Sequence, residues 1–155
     1  TATPNEDYEL NYRIRKSGDA IYLAPYIRSQ YYGRQTFSAL ARQYYGYGIG
    51  KIQTLILHPQ SIRPRQLVAP VFVAGLVIGG FLALLHSVFL ALWLVGIFAY
   101  AAMSLYFSLQ QALRFGLGLF WRLPLVFLTI HVSWGSGFWV GLARAVLSNQ
   151  PRPTP

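Results

Sequence analysis

From Gln66 to Leu113 the chain carries no formal charge, a run of 48 residues. A helix crossing a bilayer needs roughly 20 apolar residues, so this run is long enough for two. Two segments stand out within it: LVAPVFVAGLVIGGFLALL (67–85) and VFLALWLVGIFAYAAMSLYFSL (88–109). Only His86 and Ser87 separate them, which implies a tight hairpin. One continuous helix of about 43 residues would be roughly 65 Å long, twice the hydrocarbon thickness. The whole chain is 11% charged, against about 25% in soluble domains.

The surroundings of the run fit a membrane protein. Arg63, Arg65, Arg114 and Arg122 flank it, where the positive-inside rule wants cations on the cytoplasmic side. The polar residues 1–66 are then cytoplasmic and the His86–Ser87 turn is outside. QQALRFGLGLFWR (110–122) is amphipathic and suits the membrane interface. LPLVFLTIHVSWGSGFWVGLARAVL (123–147) is a third apolar segment, transmembrane or re-entrant. Full crossing would place Arg144 and Arg152 outside, against the charge rule. The tail SNQPRPTP (148–155) reads as disordered. The net charge of +9 does not indicate nucleic acid, because the cations are scattered and no recognition motif accompanies them. The spans hold no acid, which weighs against a channel or transporter, and a helix-packing role suits His131 best. There is no cysteine, so disulfides and thiolate metal sites are excluded.

All four acids, Glu6, Asp7, Glu9 and Asp19, fall in NEDYELNYRIRKSGD, residues 5–19. Asn5 is a candidate N-cap, acids follow in the first turn, and Arg13, Arg15 and Lys16 occupy the last turn before Gly18. That order complements the helix dipole. AIYLAP (20–25) alternates and reads as a short strand ended by Pro25. Thr36 can cap a second helix, FSALARQYYGYGIGKIQTLIL (37–57). HPQSIRPRQ (58–66), with two prolines, is the hinge into the bilayer. The chain opens on TATPNED without an initiating methionine or a leader-like apolar run, so the expectation is the C-terminal part of a longer protein.

NEDYELNYRIRKSGDAIYLAP resembles the acceptor-site segment of family 2 glycosyltransferases: Glu-Asp, then Glu-Leu, a basic helix, a glycine and a strand ending near proline. YYGRQTFSALARQYYGYGIGK is similar to the helix that carries a Gln-x-x-Arg-aromatic motif in the membrane-attached members. Followed by a membrane hairpin, the order of parts is most similar to the succinoglycan-type exopolysaccharide glycosyltransferases, over roughly residues 4–143. The resemblance implies a mainly α membrane chain. Its residues 1–66 would be the C-terminal end of a GT-A-type α/β catalytic domain plus an interfacial helix, ahead of two or three transmembrane helices. It implies Asp7 as the general base for the acceptor hydroxyl and Glu6 as a neighbour that orients the site or binds the acceptor, with Glu9 structural. Gln43, Tyr47 and Tyr44 would bind the acceptor; an interfacial aromatic belt is the alternative reading of these tyrosines. Gly46 stands where the motif has Arg, so Arg42, Arg34 or Lys51 would take the leaving group or phosphate.

The same resemblance implies a nucleotide-sugar donor, a glycan or lipid-linked acceptor, and a location at the cytoplasmic membrane. It also implies a divalent cation, Mg or Mn, held by a nucleotide-binding half preceding residue 1. No metal site is expected within this segment. The competing class is a non-catalytic membrane protein whose basic juxtamembrane part binds anionic lipid or a partner subunit.

Overall fold

The computed structural model describes residues 6–30 and 32–147. Five α-helices make up the body: α1 Glu6–Lys16, α2 Phe37–Leu57, α3 Val68–Ala83, α4 Ser87–Phe115 and α5 Leu119–Leu147. Among the described residues there is no strand. The strand expected at 20–25 is therefore corrected to irregular backbone with a turn at Pro25–Tyr26. Its alternation is present, but backbone N–H and C=O groups make a strand only where a neighbouring strand takes up their hydrogen bonds. Among the described residues none lies beside it, and Tyr22, Leu23 and Tyr26 are exposed. The GT-A end of the expected fold has no support in this architecture.

Local chemistry explains the helix ends. The cap expected at Asn5 lies outside the described residues. α1 stops at Gly18, whose φ of 90° favours glycine. The amide of Asp19 bonds the carbonyl of Ile14 at 3.2 Å, and that of Gly18 bonds Arg15 at 3.3 Å, the paired pattern of a Schellman ending. α2 begins at Thr36, whose hydroxyl accepts from the Ala39 amide at 3.2 Å. It ends at His58, which precedes Pro59 and so leaves the helical region. The hinge is two 3-10 turns, Pro59–Ser61 and Pro64–Gln66.

α3 and α4 fold back on one another through Leu84–His86. His86 takes an extended backbone, and its Nδ1 accepts from the Val88 amide at 3.1 Å, capping α4. The Trp93 indole donates to the Leu76 carbonyl at 3.3 Å, and Tyr100 stacks on Phe72 with centroids 4.2 Å apart. α4 then continues past residue 109 to Phe115. Residues 110–122 are thus divided between the end of α4, a three-residue turn and the start of α5, instead of forming a separate amphipathic segment. Apolar spacing continues through Leu113, and the break waits for Gly116 at φ 121°. Among the described residues three helices are long and apolar enough to cross a membrane: Pro64–Ala83, Ser87–Phe115 and Leu119–Leu147.

The tightest seam joins α2 to α5. Gly48 faces the Trp134 carbonyl, and Gly137 faces the Tyr45 carbonyl. A Cβ on Gly141 would stand 3.1 Å from the Cα of Ile49 and 3.1 Å from the Ile52 side chain. Glycine inside a helix costs about 1 kcal/mol against alanine. Here it lets two backbones approach as small-residue seams do in membrane helices. α2 was expected as an interfacial helix, and the structure clamps it to the distal half of α5.

Candidate functional site

α2 presents Gln43, Tyr47 and Lys51 four residues apart, which sets them in one row along the helix. At its upper end the row forms a network. The Arg34 Nε donates to the Gln43 Oε1 at 3.0 Å, and the Gln43 Nε2 donates to the Tyr47 hydroxyl at 2.7 Å. Tyr44 meets Tyr47 edge to face, with centroids 5.7 Å apart. Arg34 is exposed, while Gln43, Tyr44 and Tyr47 are half-buried. The guanidinium orients the amide, and the amide orients the phenol. Such an arrangement offers directed hydrogen-bonding groups beside aromatic faces, a combination suited to a polyhydroxylated ring or a phosphate.

The lower end of the row serves the hinge. Lys51 is 3% exposed. Its Nζ donates to the Ser61 carbonyl at 3.2 Å and lies 3.4 Å from the Ser61 hydroxyl. A leaving group in solvent does not meet an ammonium held there. Burial draws Lys51 into the hinge because its long apolar stem follows the α2 surface inward. Arg42 stays exposed on α2, so it and Arg34 are the cations of the expected phosphate set that remain at the surface.

The acidic pair belongs to α1, where Asp7 is exposed in the first turn. Glu6 opens the same helix, and its side chain lies outside the described residues. α1 meets the body where Tyr12 lies against His58, ring centroids 4.8 Å apart. His58 follows Gln43 by 15 residues, about 22 Å along a helix axis. The Tyr12 contact thus lies at the C-terminal end of α2 and the Gln43 network towards its N-terminal end.

The support beneath the network comes from α5 residues that the α1 and α2 motifs do not point to. Trp134, Gly137 and Gly141 of α5 hold the face of α2 opposite its solvent side. The signal was the matching of two glycine-spaced stretches, YYGYGIG and SWGSGFWVG. His131 has the packing role expected of it: its Nδ1 lies 2.8 Å from the Phe127 carbonyl and 3.3 Å from the Tyr100 hydroxyl. Among the described residues no group of three or more His, Asp or Glu is placed to hold a metal ion.

The chain resembles the C-terminal part of a succinoglycan biosynthesis protein. That relative is ExoA of Rhizobium meliloti (strain 1021), 31% identical in an alignment of 140 residues that covers 87% of this chain and 39% of the relative. The chain thus spans about two fifths of the relative's length, and the succinoglycan-type resemblance read from its motifs is borne out. No protein-family model matches the chain, and no solved structure matches it.

Proposed function

We propose that the chain is the acceptor-side and membrane part of an inverting family 2 glycosyltransferase. It moves a sugar from a nucleotide-sugar donor to a lipid-linked or polysaccharide acceptor at the cytoplasmic membrane face, in exopolysaccharide or cell-envelope glycan synthesis. The observation that carries this reading is the Arg34–Gln43–Tyr47 network on α2, in a chain similar to a succinoglycan biosynthesis protein over most of its length.

In this reading Gln43 and Tyr47 bind acceptor hydroxyls, and Tyr44 offers a ring face to the sugar. Arg34 and Arg42 face the diphosphate as negative charge gathers on it. Asp7 takes the proton of the attacking hydroxyl while that oxygen bonds the anomeric carbon and the nucleoside diphosphate departs. Glu6 orients Asp7. Lys51 holds the hinge in place of the contact first assigned to it. A divalent cation, Mg or Mn, would be held by a nucleotide-binding half of the intact protein and would offset the charge of the departing diphosphate.

The test is Gln43→Ala and Tyr47→Ala in the intact protein, assayed in membranes. Each variant removes a directed hydrogen bond or ring contact worth about 1–2 kcal/mol, so the acceptor KM should rise roughly 5- to 30-fold. Donor binding should stay unchanged. Full transfer with normal acceptor dependence in both variants would assign the tyrosines to the membrane interface and remove the reading.

A further inference from the structure

α3 and α4 run antiparallel, with the Trp93 indole on the Leu76 carbonyl and Tyr100 stacked on Phe72. Between them lies a groove of about 370 Å³, within the roughly 300–1,000 Å³ usual for a small-molecule site. Its lining is apolar throughout, from Phe72 at one end to Leu82 and Phe89 at the other, and includes Gly75, Gly79 and Gly96. Phe72 to Leu82 is about 15 Å along a helix axis, half the hydrocarbon thickness. Glycine weakens a helix relative to alanine. At Gly48, Gly135 and Gly137 a neighbouring backbone accounts for it. At Gly75 and Gly96 a Cβ would meet nothing within 4 Å, so no packed neighbour requires glycine there. Both line the groove, and a side chain at either would narrow it.

The two ends of the groove differ. Leu82 and Phe89 make the turn end wholly apolar. At the other end Phe72 meets the rings of Tyr100 and His131, with centroids 4.2 and 6.2 Å away. The Tyr100 hydroxyl there lies 3.3 Å from the His131 Nδ1. Two hydrogen-bonding side chains at one end of an oily slot suit an amphiphile. That end also adjoins the candidate site: Trp134, one turn after His131 on α5, sets its carbonyl against Gly48, the neighbour of Tyr47. We infer that the groove holds the hydrocarbon chain of a lipid-linked acceptor, with the tail towards the α3–α4 turn and the polar end towards Tyr100, His131 and α2. The inference rests on the sugar-transfer reading and narrows its acceptor to the lipid-linked kind. A phospholipid chain would need the slot alone. The polar pair beside the α2 network puts the head of the bound molecule on the side where acceptor hydroxyls are read.

The probe is farnesyl diphosphate carrying a benzophenone at the far end of its chain, photolysed with the intact protein in nanodiscs. Label should map to residues 82–93. Gly75→Leu and Gly96→Leu should each lower labelling roughly tenfold by filling the slot, with helix content by circular dichroism unchanged. Gly118→Leu, in the turn before α5 and away from the groove, should leave labelling as in the parent. Unlabelled farnesyl diphosphate should compete, and phosphatidylglycerol at the same concentration should not. Label outside residues 82–93, full labelling of both groove variants, or equal competition by phosphatidylglycerol overturns the inference. In the transfer assay, Gly75→Leu should raise the KM of a farnesyl-linked sugar acceptor several-fold and leave that of the same sugar on a methyl group unchanged. An equal effect on both acceptors also overturns it. No transfer by the parent protein would instead remove the sugar-transfer reading, while the labelling still decides whether the groove takes a prenyl chain.

Discussion

Gly137→Ala tests the seam that holds the candidate site. The added Cβ would meet the Tyr45 carbonyl oxygen, and would stand 2.9 Å from its carbon and 3.1 Å from its Cα. All three atoms are backbone in the middle of a 21-residue helix, so no side chain can swing aside and the helices must part. Overpacking of this kind costs typically 1–3 kcal/mol, and backbone contact puts this site at the upper end. Replacing a helical glycine by alanine returns about 1 kcal/mol. The net cost is about 2 kcal/mol, roughly a 30-fold increase in the opening of α2. Gly75 is the control. A Cβ there meets nothing within 4 Å, so Gly75→Ala should leave stability equal or raise it by up to about 1 kcal/mol. Hydrogen exchange of α2 amides on purified protein in nanodiscs reads both variants. If Gly137→Ala protects α2 as well as the parent does, α2 does not pack on α5 through this glycine and the described seam is wrong.

Asp7→Asn in the intact protein should lower turnover roughly 10²–10⁴-fold if Asp7 is the base, with helix content by circular dichroism unchanged; near-normal turnover would leave the acidic cluster as helix-end chemistry alone. Lys51→Met should keep the side-chain volume but remove the donor to Ser61, at a cost of about 1–3 kcal/mol, read as faster protease cleavage within residues 58–66; unchanged resistance would show that the buried ammonium does not tie the hinge. Tyr100→Phe should cost less than about 1 kcal/mol in detergent unfolding, because the long contact to His131 is lost while the stack on Phe72 is kept. Tyr100→Ala should cost about 3–5 kcal/mol, and equal losses for the two would contradict this division.

The helices were legible because their signals are local. The uncharged run, the Thr36 cap, the Gly18 stop and the Pro59 break each act within a few residues, and each is where it was expected to act. The Arg34–Gln43–Tyr47 network was legible in part, since a spacing of four places Gln43 beside Tyr47 on any α-helix. The strand at 20–25 failed for the opposite reason. A period of two states which face a residue would take, and a ladder needs a partner that local sequence does not specify. The end of α4 was misplaced because Gln110 and Gln111 lower hydropathy without interrupting a helix, whereas Gly116 with positive φ does.

By itself the sequence determined which stretches are helical, which are apolar enough for a bilayer, and which family the motifs resemble. Only the tertiary structure decided that α2 rests on α5, that Lys51 is held in the hinge, and that α1 docks on His58. These depend on which surfaces meet. A glycine reads in sequence as a weakness in a helix, and becomes a contact surface only when a second backbone arrives at it, as Tyr45 does at Gly137.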